Sequence, residues 1–403
     1  MLEQTLAIAL ILGLAPVAPE PESPAVIRVA TFNASLNRGE AGALVRDLAT
    51  GGNPQARKVA EIIQSVRPDV ILINEFDYDA AGEAARLFRS NYLAVGQNGK
   101  EALDFGYLYT APVNTGVASG RDLDGDGKVA SKPGDRGYGN DSLGYGLFPG
   151  QYGMVIYSRF PIAADRVRDF SKLLWKEMPD ALLPRKDDGT PWYSDDALSV
   201  FRLSSKGHWD VPIRIEGRDL HLLVSHPTPP AFDGPEDRNG KRNHDEIRIW
   251  SDYLAGGERS RYLARSIGVE RLDPPSEFVV LGDLNADPID GGSANRAIQQ
   301  LLAHPSVDSS GIPRSEGGPE AAGEQGGANR DHRGDPAFDT ADFDESVGNL
   351  RVDYVLPAKG LRVVRTGIFW PRRSAPDARL VAMKPVATSD HRLVWIDLEW
   401  PKK

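Results

Sequence analysis

A set of oxygen- and nitrogen-bearing side chains falls at the ends of apolar runs in this sequence: Asn33, Glu75, His226, Asp283 with Asn285, and Asp390 with His391. Side chains delivered to one edge of a layered α/β protein form ligand sites. The inventory is specific. A hard divalent cation such as Mg²⁺ takes oxygen ligands, one or two of them carboxylates, and Glu75, Asp283 and Asp390 with the amide of Asn33 supply them. With no cysteine and few histidines, a structural zinc site is disfavoured. Singly, each residue has an ordinary explanation. Asn and Asp are turn formers after a strand, Gly-Asp-Leu-Asn is a common turn sequence, and His226 before Pro227 ends a strand. Glu75 is harder to dismiss, because a carboxylate at the edge of a buried strand requires a partner. The joint pattern carries the weight.

The elements that position these groups are legible from periodicity. Val26–Phe32 alternates as a strand and ends at Asn33. Arg57–Val66 reads as an amphipathic helix with Val59, Ile62, Ile63 and Val66 on one face, stopped by Arg67-Pro68. Val70–Ile73, Met154–Tyr157, Leu220–Val224, Phe278–Leu281, Val352–Leu356 and Leu393–Ile396 read as strands, and Asp245–Leu254 as a helix. Three stretches, 96–150, 170–210 and 309–349, resist assignment. Loops of that length in a compact domain are functional or disordered, and their aromatics (Tyr138, Tyr145, Phe148, Tyr152, Trp192, Trp209) suit the rim of a substrate cleft.

Hydrophobic residues make up 40% and charged residues 26% of the 403 residues, which excludes a disordered or collagen-like chain. The net charge of −10 opposes tight, sequence-independent binding to nucleic acid. Without cysteine there are no disulfides, thiolate sites or cysteine nucleophiles. Leu6–Leu14 (LAIALILGL) is too short to span a bilayer but fits the apolar core of an export signal. Glu3, the absence of Lys or Arg before it, and Pro19 depart from that pattern. The expectation is a signal-like or disordered segment over 1–24 and one catalytic domain over 25–403, secreted or periplasmic, with a cytoplasmic protein as the alternative.

Six short stretches then occur in one order: Thr31-Phe32-Asn33, Ile73-Asn74-Glu75, Ser225-His226-Pro227, Gly282-Asp283-Leu284-Asn285, Arg351-Val352-Asp353-Tyr354 and Ser389-Asp390-His391. Together they resemble the endonuclease/exonuclease/phosphatase superfamily, the deoxyribonuclease-I-like metal-dependent phosphoesterases, over about Val26 to Leu398. Gly-Asp-Leu-Asn and Ser-Asp-His are the most specific. Gly153–Ile162 (GMVIYSRFPI) also resembles a central strand of that superfamily. The resemblance implies an α+β fold, a four-layer α/β/β/α sandwich of two packed mixed β-sheets flanked by helices. It implies divalent-metal-dependent hydrolysis of phosphate esters by an activated water. Glu75 would be the principal metal carboxylate, with Asn33 beside it and Asp390 completing a site for Mg²⁺ or Mn²⁺. Asp283 would orient or deprotonate the water and Asn285 would hold a phosphate oxygen. His391, oriented by Asp353, would stabilise the phosphoryl group, and His226 would stand opposite. Whether a histidine or Asp283 is the base, and whether one or two metals act, stays open at this point.

Other features sit outside that pattern. Asp122-Leu123-Asp124-Gly125-Asp126-Gly127-Lys128 has calcium-loop spacing, but Pro133 occupies the position where a complete EF-hand has glutamate. Asp122, Asp124 and Asp126 are therefore candidate Ca²⁺ ligands or a solvated acidic turn. Arg242 and Tyr152 are candidate substrate-binding residues. His244 precedes the acidic pair Asp245-Glu246, which suits a helix N-terminus. The expected partner is a small phosphate ester. Nucleic acid enters only as a substrate, in the alternative reading of a secreted endonuclease, and no membrane-inserting helix is visible. A non-catalytic binding module on the same fold is the rival class, and it should have lost at least one of these groups. The sequence sets no oligomeric state.

Overall fold

The computed structural model describes residues 26–400, so the leader-like segment expected over 1–24 lies outside the described residues. Its strands are β1 (Val26–Leu36), β2 (Val70–Phe76), β3 (Tyr107–Tyr109), β4 (Met154–Ser158), β5 (Arg168–Asp169), β6 (His208–Ile215), β7 (Arg218–Ser225), β8 (Phe278–Asp283), β9 (Ala341–Asp342), β10 (Asn349–Leu350), β11 (Asp353–Pro357), β12 (Arg362–Ile368) and β13 (Val394–Glu399). One sheet has the order β12-β13-β1-β2-β4-β3, the other β11-β8-β7-β6-β5, and β9 and β10 form a small ribbon. Each large sheet contains one parallel pair, β1 with β2 and β7 with β8. The remaining pairs are antiparallel, so both sheets are mixed.

Alternation explains the layering. In β1, Ile27 and Val29 enter the large core shared with the second sheet, whereas Ala30, Phe32, Ala34 and Leu36 enter a second core. In β2, Val70 and Leu72 face the shared core, and Ile71 and Ile73 face the other. That second core is closed by helix Pro54–Val66, which contributes Val59, Ile62, Ile63 and Val66. The helix starts three residues earlier than the apolar spacing predicts, because Asn53 caps it (Oδ1 accepts from Ala56 N, 3.0 Å) and Pro54 suits the first turn. Helix Arg238–Ala255 flanks the second sheet and is pinned there by Trp250 Nε1 donating to Ser225 Oγ (2.9 Å) and by Tyr253 OH donating to Asp210 Oδ2 (2.5 Å). The result is a four-layer sandwich of two mixed sheets and flanking helices.

Direction gathers the chemistry at one end. β1, β2, β7 and β8 finish there, and β11 and β13, antiparallel to their neighbours, begin there. Asp353 pairs directly across from Asp283.

Several elements differ from the sequence expectation, these four among them. The helix expected from Asp245 begins at Arg238, so Asp245 and Glu246 are buried in mid-helix rather than placed in a first turn. β6 runs through Pro212, which is tolerated because β5 pairs with only Asp210 and Trp209 of it. β12 escapes notice because Arg362, Val364 and Arg365 face solvent on a sheet edge. The stretch 309–349 holds a short helix, Gly317–Gln325.

Gly282 shows how tightly neighbouring strands of the second sheet meet. Its φ is 145°, and a Cβ there would lie 2.0 Å from the Ser225 carbonyl oxygen. Gly282→Ala is expected to push β8 from β7 and displace Asp283, lowering stability by about 1–3 kcal/mol or more. A urea midpoint equal to wild type would refute this packing argument.

Candidate active site

The strand ends are locally strained in a way that aims their side chains. Simple alternation would send Glu75 to the helix-covered face with Ile71 and Ile73. Instead Glu75 has φ 56°, and the β1–β2 register shifts between Asn33 and Leu36, where Ser35 has φ 47°. These irregularities turn Glu75 toward Asn33 and Asn37, whose Nδ2 atoms donate to Glu75 Oε1 (3.1 Å) and Oε2 (2.8 Å). Asn285 (φ 51°) and Tyr152 (φ 56°) are also left-handed. Ser35, Glu75, Tyr152 and Asn285 all line one cleft of about 1810 Å³.

Asp283 is the convergence point. Its Oδ2 lies 3.0 Å from Asn33 Nδ2, 3.3 Å from His226 Nε2 and 3.6 Å from His391 Nε2, while Oδ1 accepts from the Asn285 backbone N–H (3.0 Å). Burial would raise its pKa, but the two imidazoles and the Asn33 amide outweigh it and hold the carboxyl well below the usual range. His226 is expected opposite His391; in the structure both present Nε2 to this one oxygen.

The two imidazoles are driven apart in charge. For His391 burial favours the neutral ring, yet Asp353 (Nδ1 to Oδ2, 2.9 Å) and Asp283 flank it and raise its pKa well above the ordinary value. Asp353 is itself raised by burial, opposed by His391, and is anchored by Thr340 Oγ1 (2.8 Å). His226 is lowered by burial and by the neighbouring Lys206 cation, against the pull of Asp283. Its Nδ1 is buried with no partner among the described residues.

Glu75, Asp390, Ser35 and Asn37 all line the cleft and carry the kind of oxygen atoms a hard divalent cation takes. Asn33, expected as a ligand beside Glu75, acts in this arrangement as an N–H donor to both carboxylates, while its Oδ1 accepts from Ser35 N (3.2 Å). The tight group Asp283–Asp353–His391 is a second acidic cluster. There the imidazole sits between the two carboxylates, and the three side chains offer ligand atoms within 4.8 Å of one another that could hold a metal ion.

Asn285 is fixed beside His226, because its Nδ2 donates to the Pro227 carbonyl (3.1 Å). Tyr152 lines the cleft. Arg242 is different: its Nε donates to Leu203 O (2.9 Å), its Nη2 donates to Leu143 O (2.5 Å) and Arg202 O (2.9 Å), and its guanidinium lies over Phe201. Those donors hold loops together, and Arg242 also lines the cleft. In the candidate calcium loop, Asp122 and Asp124 cluster with Asp141, not with Asp126, whose Oδ1 accepts from the Lys128 backbone N–H (2.8 Å). Asp122 likewise caps its own turn through Gly125 N (2.7 Å) and Gly127 N (2.8 Å). Asp126, expected with Asp122 and Asp124, lies outside the group that folding brings together.

Sequence reasoning missed the residues that hold the site from behind. Asn243 Nδ2 donates to Thr228 O (2.8 Å) and Leu284 O (3.0 Å), joining the loop after β7 to the loop after β8. Glu246 Oε2 accepts from Thr228 N (2.6 Å) and its Oε1 from Ser205 N (2.6 Å). Asp245 Oδ2 takes Trp175 Nε1 and Leu182 N (2.7 Å each). Asn37, Thr340 and Lys206 were also not singled out, since only tertiary contact reveals them. Asn243→Ala, which strands two buried carbonyls, is expected to cost about 1–3 kcal/mol. An unchanged unfolding free energy would show that the two loops hold without it.

The profile of the Endonuclease/Exonuclease/phosphatase family matches residues 30–391. No curated protein matches the chain. Among solved structures, an endonuclease/exonuclease/phosphatase from Beutenbergia cavernae DSM 12333 is similar at 18% identity, over 93% of this chain and 71% of that one, with a TM-score of 0.48. Sphingomyelinase C from Streptomyces griseocarneus is similar at 16% identity (92% and 99% covered, TM-score 0.45). The mannosyl-6-phosphatase Bt3783 of Bacteroides thetaiotaomicron VPI-5482 is similar at 13% (93% and 100%, TM-score 0.44). The superfamily acts on phosphoester bonds and depends on divalent metals. By the span of that match, which takes in every residue of the site from Asn33 to His391, the chain belongs to the Endonuclease/Exonuclease/phosphatase family.

Proposed function

We propose that this protein hydrolyses small phosphate esters by in-line attack of water, with Mg²⁺ or Mn²⁺ held by Glu75 and Asp390. The observation that carries the reading is the convergence of Asn33, His226 and His391 on one ionised oxygen of Asp283. Bound there, the cation would neutralise charge on the phosphoryl oxygens. Asp283, kept ionised by its donors, accepts a hydrogen bond from the attacking water and sets its direction. His391, kept protonated between Asp353 and Asp283, offers positive charge to the equatorial oxygens as they gain charge. Asn285 and His226, tied together at Pro227, frame the phosphate from the other loop.

The cleft wall favours a small ester over a polynucleotide. Glu320, Glu324, Asp344 and Glu345 are exposed and line it, and although Arg373 on the same wall pairs with Glu324, the excess of acid repels an extended polyanion. Tyr145 and Phe232, both exposed, supply apolar contact for the organic part of an ester.

Purified protein is expected to cleave p-nitrophenyl phosphate or bis-p-nitrophenyl phosphate faster than DNA and to lose that activity in EDTA. Turnover indifferent to EDTA, or absent on all three, would sink the proposal. Asp283→Asn and His391→Ala are each expected to lower kcat by about 10²–10³-fold with near-UV circular dichroism unchanged. Near-wild-type kcat in both would overturn the assigned roles.

A further inference from the structure

Lys206 is a lysine the chemistry above does not use, and it is placed where a lysine is expensive. It is 7% exposed and lines the catalytic cleft. No ion pair of Lys206 occurs among the described residues, and its Nζ makes one hydrogen bond, to the Pro227 carbonyl (3.3 Å). An ammonium carries three N–H donors; burial draws Lys206 toward the neutral amine while the carboxylates of Glu246, Asp283 and Glu75 favour its charge, and two of its N–H donors have no acceptor among the described residues.

The carbonyl it touches tells where it points. Pro227 O also accepts from Asn285 Nδ2 (3.1 Å), so ammonium and amide sit side by side next to His226. The stem is fixed on both sides. Ser205 N and Oγ donate to Glu246 Oε1 (2.6 and 2.8 Å), and Lys206 O accepts from Asn114 N (2.9 Å). Gly144 packs so closely behind that a Cβ there would lie 1.8 Å from Ser205 O. The backbone therefore has no slack to withdraw the ammonium from the cleft.

We propose that Lys206 contacts the substrate directly, its ammonium binding a non-bridging oxygen of the scissile phosphate beside Asn285. This rests on the phosphoesterase reading for its substrate, but its first test needs no turnover. Calorimetry of inorganic phosphate against the Mg²⁺-loaded protein is expected to give a Kd at least about tenfold weaker in Lys206→Met, with Lys206→Arg recovering part of the affinity. Thermal midpoints separate this from a structural role. Lys206→Met removes a desolvated charge while keeping the length of the side chain, so its midpoint is expected at or above wild type. On whichever ester proves active, kcat/KM is expected to fall about 10²–10³-fold. Lys206→Gln is measured alongside in case the methionine variant misfolds.

Equal phosphate affinity in wild type and folded variants, or no phosphate binding by wild type, overturns the proposal. So does a lowered midpoint with affinity retained. Lys206-dependent phosphate binding in a protein silent on every ester would uphold this site while removing the hydrolytic reading.

Discussion

Everything at the candidate site is organised around one buried anion, the carboxylate of Asp283. Placed between two sheets it is 1% exposed, and an isolated charge there would be prohibitively costly. It persists because Asn33, His226 and His391 bring N–H groups to Oδ2 and the Asn285 backbone brings another to Oδ1. Those donors come from β1, from the loops following β7 and β8, and from the segment preceding β13. The same interaction that keeps the acid ionised therefore also locks the two sheets together at their edge, and site geometry and sandwich geometry cannot drift apart.

The loops that rim the cleft are long, yet they are held by buried polar groups rather than by apolar packing alone. Helix Arg238–Ala255 supplies them from one face: Arg242 to three loop carbonyls, Asn243 to two, Asp245 to Trp175 and Leu182, Glu246 to Ser205 and Thr228. Such networks are favourable only when nearly every member finds a partner. This helix comes close to that condition by bonding to loop backbone, although Asn243 Oδ1 stays without a partner among the described residues. Long, irregular stretches thereby become rigid walls.

That design also explains what the sequence concealed. Strands β1, β2, β7 and β8 contain apolar runs that lead to a polar residue, so Asn33, Glu75, His226 and Asp283 can be read directly, although β1 and β2 run on past them to Leu36 and Phe76. The polar half of helix Arg238–Ala255 cannot. Arg242, Asn243, Asp245 and Glu246 look like a solvated charge run, and their burial inverts the usual amphipathic rule. Gly240 adds a false stop signal. Lys206, Asn37 and Thr340 carry no motif, because each matters only through a neighbour distant in the chain. The loop of Asp122 and Asp124 misleads in the opposite direction: its spacing suggests Asp126, whereas folding brings Asp141 into that place.

The two histidines show why residue type alone does not settle a role. In sequence, both lie beside a buried strand, and each points Nε2 at the same carboxylate oxygen. Their charge states nonetheless separate. His391 has a carboxylate on both nitrogens, and two anions outweigh the cost of burying an imidazolium. His226 has a carboxylate on one side only and the Lys206 cation nearby, so burial prevails and the ring is biased to neutral. One position thus supplies fixed positive charge and the other a hydrogen-bonding ring without it, from identical side chains. Pairs of groups whose surroundings push their pKa values apart are how a single fold obtains complementary functions at one pH. Here the separation is produced by Asp353 and Lys206, neither of which shares a strand with the histidine it governs.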